Sequence, residues 1–182
     1  MGPGQNGVGV KGGISITTFG VQAILDANPS SIVIQGGIRN GYNEIKSECV
    51  LFSIRDSEKL DSTIAFSHAL MLQAAYVGMG NGIQLVKESF QCAEEVHQGA
   101  IKSGWIFSIS VNKAFHNLCT TLADCEGKVM SIINDNHTMG PSQQIFAANK
   151  AFAEDLLEAG LELQPDKSQY YILETLRDAG RD

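Results

Sequence analysis

Thiols and imidazoles are the side chains whose chemistry could support catalysis, and the 182-residue chain has four of each. A catalytic thiol needs an imidazole within hydrogen-bond reach, and usually a third group that orients the imidazole. Cys49 falls on the apolar face of a predicted strand, where burial raises the pKa of a thiol and makes it inert. His97 lies on the apolar stripe of a predicted helix, whereas His137 lies in a polar stretch near Asp135, typical of an exposed loop. These residues, Cys49, His97 and His137, are the candidate catalytic groups.

The chain order of the candidates has one parallel among known enzymes. Cys49 precedes His97 and His137, and this order resembles that of papain-like enzymes and of bacterial effector deamidases. Those enzymes carry the cysteine at the start of a helix, which the sequence does not predict for Cys49. A Cys-dependent hydrolase or deamidase that acts on a protein substrate is therefore one alternative function. A small-ligand binder with a pocket near His68 is another.

Metal and cofactor motifs are incomplete in this sequence. Cys119 and Cys125 lack the CxxC spacing of a zinc knuckle, so we expect no structural metal. Residues 7–12 have the GxGxxG spacing of a dinucleotide loop, but no strand can precede them, as that loop requires. We therefore expect no cofactor.

Charge and composition predict which partners the chain binds. The net charge is −7 and the basic residues are scattered singly, so no stripe of cations is available to follow a phosphate backbone. This pattern predicts no nucleic-acid partner. No apolar run reaches the roughly 20 residues that span a bilayer. We expect synthesis in the cytoplasm without a cleavable signal peptide.

The N-terminal region suggests a route of export. Residues 1–25 contain a single charge, Lys11, and are rich in glycine, serine and threonine. In composition this region resembles the uncleaved leaders of bacterial proteins exported by contact-dependent machines, such as type III or type VI secretion. The sequence-based interpretation is therefore a non-enzymatic interaction protein with a protein partner. It would be a secreted, virulence-type bacterial effector or a component of a secretion apparatus.

Two stretches determine the predicted architecture. Residues 62–77 are apolar on all sides of a helical wheel, which predicts a buried central helix. Residues 31–38 and 43–54 alternate as strands around Asn40 and Gly41, the dipeptide typical of a two-residue hairpin turn. The hairpin spans 31–54, and its exposed edge is the predicted contact for the protein partner.

The remaining patterns predict helices around this centre. Apolar residues recur at three and four positions over 83–102 and over 105–134, with 105–109 open to a strand instead. Further helices are predicted after Thr17 or Thr18, from Ser142 to Gly160, and after Pro165. We therefore expect an α+β fold, predominantly α, with about five helices in one domain over 14–182. Residues 1–13 are predicted to be a disordered glycine-rich terminus.

Overall fold

A four-stranded antiparallel sheet, packed between helices, organises the chain. The computed structural model describes residues 4–56, 75–79, 88–92 and 103–172. The helices are α1 (Gly13–Ala27), α2 (Gly41–Glu44), α3 (Ser47–Arg55), α4 (Ser103–Ser110), α5 (Asn112–Ala123) and α6 (Ser142–Glu158). The strands are β1 (Ile32–Gly37), β2 (Ala75–Met79), β3 (Glu88–Cys92), β4 (Lys128–Ile132), β5 (Asp135–Gly140) and β6 (Gln169–Tyr171). The sheet has the order β4-β5-β1-β6, and β2 pairs with β3 separately.

The register divides the sheet into two faces, because directly paired residues point to the same side. Ile34 pairs with Thr138, which in turn pairs with Val129, and we call their side the core face. The core face packs against α5 and α6. Gln35 pairs with His137 on the opposite side, which we call the outer face. Helix α1 packs against β4 and β5, and its contact with a methionine of β4 places it over part of the outer face.

The hydrophobic core lies between the core face and the helices. The rings of Phe115 and Phe152 join α5 to α6 with their centroids 5.0 Å apart. Phe107 of α4, Leu122 of α5 and Leu156 of α6 are completely buried. Burial of each such side chain contributes about 1.5–3 kcal/mol, so this cluster stabilises the helical layer on the sheet.

Residues 4–6 differ from the predicted N-terminal disorder. The backbone N–H of Asn6 donates to the carbonyl of Ser131 at 2.7 Å, and the N–H of Ser131 donates to the carbonyl of Gly4 at the same distance. Gln5 is buried. Residues 4–6 are ordered without large apolar side chains because the open edge of β4 supplies hydrogen-bond partners for their backbone. Composition alone does not reveal these partners.

The first strand of the predicted N-terminal hairpin is confirmed as β1, and the mixture of helices with a small antiparallel sheet is also confirmed. The segment predicted as the second strand instead forms α2 and α3. Val50 and Ile54, four residues apart, are both fully buried, which is the spacing of one helix face. β1 pairs with β5 and β6 instead, so its partners come from more than 90 residues away.

The predicted helices over 62–77 and 83–102 also differ from the structure where it can be compared. Residues 75–79 and 88–92 form the antiparallel pair β2–β3, in which Val77 lies opposite Phe90. β-Branched and aromatic residues favour strands when a partner strand is present, and helical periodicity does not reveal that partner. The rest of these two predicted helices lies outside the described residues.

Later predictions have mixed outcomes. Residues 103–110 are helical, which settles the alternative left open for 105–109 in favour of a helix. Helix α6 begins at Ser142 as predicted. The helix predicted over 105–134 ends at Ala123, and β4 follows it; residues 165–167 form only a 3-10 turn before β6. Among the described residues, no helix has the length and apolar character needed to cross a membrane.

Candidate nucleic-acid interface

The turn between β4 and β5 is fixed from two sides. Ile133 and Asn134 form the turn, and Ile133 has a left-handed backbone with φ 58°. The side chain of Gln5 accepts from the N–H of Ile133 at 2.8 Å and donates to its carbonyl at 3.1 Å. On the other side, the N–H of Ile38 donates to the carbonyl of Asn134 at 2.9 Å. The turn is therefore held rigidly at the end of the sheet.

Polar side chains occupy the outer face between this turn and the β6 edge. Asp135 lies opposite Gly37, and a Cβ placed on Gly37 would lie 3.5 Å from both Oδ1 of Asp135 and Cβ of Lys167. One row further along β1, Gln35 lies between His137 and Gln169. The groups on this part of the outer face are amides, an imidazole, one carboxylate and one ammonium.

A polar recess of about 150 Å³ opens beside the turn. It is lined by Ile38, Asn40, Gly41, Tyr42, Asn43, Asn134 and Lys167. Three amide side chains and an ammonium offer hydrogen-bond donors and acceptors within this small volume. The chemistry available in the recess is therefore the recognition of a polar ligand.

The outer face includes one titratable imidazole, that of His137, whose pKa is shifted by its surroundings. Burial lowers the pKa of His137, and the carboxylate of Asp135 together with a hydrogen bond at the Met130 backbone opposes this shift without cancelling it. Burial disfavours the charged imidazolium, so His137 is neutral at physiological pH. This imidazole therefore offers one donor and one acceptor rather than a positive charge.

The structure does not bring the predicted thiol and imidazole together. Cys49 lies in α3, in a groove of about 370 Å³ formed with α5 and α6, and its sulfur is 3.6 Å from the carbonyl oxygen of Glu158. His137 projects from the outer face, on the other side of the sheet from these helices. His97 lies outside the described residues. Within the described ranges, no group of three or more His, Cys, Asp or Glu side chains could hold a metal ion.

Solved structures share this fold over almost the whole chain. Apo telomerase from Candida tropicalis matches 94% of the chain with a TM-score of 0.71 at 13% identity. Telomerase from Candida tropicalis in complex with a TWJ fragment of telomeric RNA matches 92% with a TM-score of 0.69 at 13% identity. The corresponding complex from Candida albicans matches 93% with a TM-score of 0.66 at 10% identity. No protein-family model and no curated protein matches the sequence.

These matches show the fold and no more, and the chain covers only 30–34% of the three telomerase chains. They conflict with the sequence-based interpretation of function. The assignment to a secreted bacterial effector or secretion component was wrong, because the fold is shared with telomerase structures. The partner prediction, a protein and no nucleic acid, was wrong for the same reason, since two of the matched structures contain telomeric RNA.

The charge argument against a nucleic-acid partner considers only one mode of binding. A stripe of cations is the signature of duplex and phosphate binding, whereas recognition of unpaired RNA relies on stacking and on hydrogen bonds to base edges. The polar residues of this part of the outer face come from three separate segments: Gln35, then Asp135 and His137, then Lys167, Gln169 and Tyr171. Sequence patterns did not reveal this cluster, because only the pairing of β1 with β5 and β6 assembles it. The one sequence feature that could have pointed to this cluster is Gln169 followed by two tyrosines, which together form the short strand β6.

Proposed function

We propose that this chain is a nucleic-acid-binding domain and that its ligand is RNA. The observation that carries the proposal is the fold, shared over more than nine-tenths of the chain with telomerase structures, two of which contain a fragment of telomeric RNA. The proposed binding surface is the outer face near the β4–β5 turn together with the adjoining polar recess. This surface supports the proposal because it combines amide side chains, which can bind base edges, with the ammonium of Lys167, which can bind a phosphate.

The recess offers the contacts that RNA requires. Asparagine side chains form paired hydrogen bonds with base edges, and Asn40, Asn43 and Asn134 all line the recess. Lys167 lines it as well and is exposed, so its ammonium is available to a phosphate. One nucleotide at this position would therefore meet both base-reading and phosphate-binding groups.

The distribution of charge favours the same surface despite the net charge of −7. Glu48, Asp155 and Glu158 line the groove on the helical side of the sheet. Lys113 also lines it and pairs with Glu158, so the groove keeps a net negative charge that repels phosphates. The outer face near the turn has one negative side chain, Asp135, and one positive side chain, Lys167, so their formal charges cancel. RNA is therefore directed to the outer face, and we expect few phosphate contacts and a shallow salt dependence, with a slope of about −0.7 for each phosphate neutralised on a single strand.

The experiment measures binding of fluorescein-labelled RNA oligonucleotides by fluorescence anisotropy over a series of salt concentrations. Lys167→Glu should weaken binding about tenfold, because a phosphate contact becomes a repulsion. Lys150→Glu is the matched control, an exposed lysine on α6 that does not line the recess, and it should leave the affinity unchanged. Absence of RNA binding at low salt, or equal losses in both variants, contradicts the proposal.

A further inference from the structure

We infer that this surface binds RNA as a single strand and that one base stacks on the ring of Tyr171. The inference rests on the proposed function, because it names the form of the RNA and the residue that holds it. Tyr171 pairs with Val33 across the β1–β6 ladder, so its side chain lies on the outer face. Its ring is therefore placed beside the polar groups described above.

The phenol of Tyr171 has one proton to donate and two glutamine oxygens within reach, and this contact orients the ring. Its phenol oxygen lies 2.7 Å from Oε1 of Gln169 and 3.2 Å from Oε1 of Gln35. The residue nevertheless remains 46% exposed. A ring that is exposed and already oriented loses little conformational freedom when a base stacks on it, which lowers the cost of binding.

The amides beside the ring supply the second element of the site. Gln169 is exposed and Gln35 is half-buried, and both lie one row from Tyr171 towards the turn. Amide groups donate to and accept from base edges. A base stacked on Tyr171 therefore has hydrogen-bonding partners along its edge.

Gly37 continues this path towards the recess. It lies two residues beyond Gln35 on β1, a distance of about 7 Å along a strand. Gly37 is buried because the side chains of Asp135 and Lys167 lie over it, so the next nucleotide passes across these two side chains. The phosphate then reaches Lys167, and the strand enters the recess.

The same features disfavour a duplex. In a duplex both faces of an internal base are already stacked and its pairing edge is occupied, so neither Tyr171 nor the glutamines can engage it. Duplex RNA is recognised through backbone contacts over many base pairs, which need more positive charge than the outer face carries near the turn. Single-stranded RNA is the form that this chemistry fits.

The test compares one RNA sequence as a single strand and annealed to its complement, with the full chain in each case. We expect the single strand to bind at least tenfold more tightly. Tyr171→Ala should weaken single-strand binding roughly 5- to 100-fold, the range expected for loss of one stacked base. Phe146→Ala is the matched control, since Phe146 is an exposed aromatic residue on α6, and it should bind as the unchanged protein does.

A second measurement keeps the inference testable if Tyr171→Ala does not fold. RNA that contains 2-aminopurine should lose fluorescence when the base stacks on the tyrosine of the unchanged protein, and the annealed RNA should show no further loss. Tyr171→Phe retains the ring and should retain this quenching. If the protein binds no RNA, the proposed function fails; if RNA binds without quenching, or the duplex binds equally well, only the present inference fails.

Discussion

Two turns of this chain contrast local sequence preference with tertiary constraint. Asn40 and Gly41 form the dipeptide typical of a hairpin turn. Asn40 nevertheless precedes helix α2, and the chain does not return as a strand. Ile133 and Asn134 form the actual hairpin turn, with a β-branched residue in the left-handed region. A left-handed conformation costs such a residue about 1–2 kcal/mol.

The comparison teaches that contacts from distant segments decide where the hairpin forms. Gln5 hydrogen-bonds to both backbone groups of Ile133, and Ile38 hydrogen-bonds to Asn134. These bonds offset the cost of the left-handed residue. Gly41 is required for a different reason, since a Cβ there would lie 2.8 Å from Cζ of Phe107. The glycine therefore serves packing against α4 rather than chain reversal.

Gln5→Ala should have the largest effect, because it removes the side chain that holds the strained turn. The N–H and carbonyl of Ile133 would lose their partners, and the expected loss of unfolding free energy is about 2–4 kcal/mol. Urea unfolding followed by circular dichroism measures it. Gln22→Ala removes an exposed glutamine from α1 and should change stability by less than about 0.5 kcal/mol. Equal effects of the two variants would show that the turn does not depend on Gln5.

Gly41→Ala tests the packing role of the other turn. The added methyl group would overlap the ring of Phe107, so we expect a loss of about 1–3 kcal/mol. Phe107→Leu supplies the control in a double-mutant cycle, because the smaller side chain leaves room for the methyl group. The loss on Gly41→Ala should therefore be smaller in the Phe107→Leu background. Simple additivity of the two changes would place the cost elsewhere in the turn.

The parts of the fold that were predictable are those whose signal is local. Strand β1 begins with three consecutive apolar β-branched residues, Ile32 to Ile34, and α6 repeats Ile145, Ala148, Phe152 and Leu156 on one buried face. Strand β5 was interpreted as a loop because it carries Asp135, Asn136, His137 and Thr138. Thr138 is tolerated at the buried core face because the side-chain amide of Asn149 donates to its hydroxyl at 2.6 Å.

Two groups of the candidate surface, His137 and Asp135, were named from the sequence, His137 as a catalytic candidate and both as members of a loop. The partner groups Gln35, Gln169 and Tyr171 depend on the β1–β6 pairing. Strand β6 contains three residues and no apolar alternation, so no periodic signal marks it.

Asn40 substitutions separate backbone preference from side-chain contacts at the predicted hairpin turn. Asn40 has φ 40° and makes no side-chain cap to α2, and its amide donates only a long, exposed hydrogen bond of 3.5 Å to Oε1 of Glu44. Asn40→Ala should therefore cost about 1 kcal/mol, because alanine disfavours the left-handed region more than asparagine does. Asn40→Gly should be within about 0.5 kcal/mol of the unchanged protein, measured by the same urea titration. A large loss with glycine would instead mean that the hydrogen bond from Asn40 to Glu44 stabilises the fold.

Acid should weaken the hairpin more than the turn before α2, and this is the smallest effect that we expect. The folded pKa of His137 is lowered by burial, so the unfolded chain binds more protons once the pH falls below about 6.5. The contribution of His137 is therefore fully present above that pH and is lost as the pH falls towards the folded pKa. Hydrogen exchange at pH 7.5 and 5.5, corrected for intrinsic rates, compares the amides of Ile133 and Asn43.

Protection at Ile133 should decrease relative to protection at Asn43, whose N–H donates to the carbonyl of Asn40. His137→Gln should remove most of this difference, because no proton is then taken up on opening. His116→Gln changes an exposed imidazole on α5 and should leave the difference intact. An equal acid response of the two amides in the unchanged protein would mean that His137 does not couple to the turn. The turn would then be held by the hydrogen bonds of Gln5 and Ile38 without a contribution from His137.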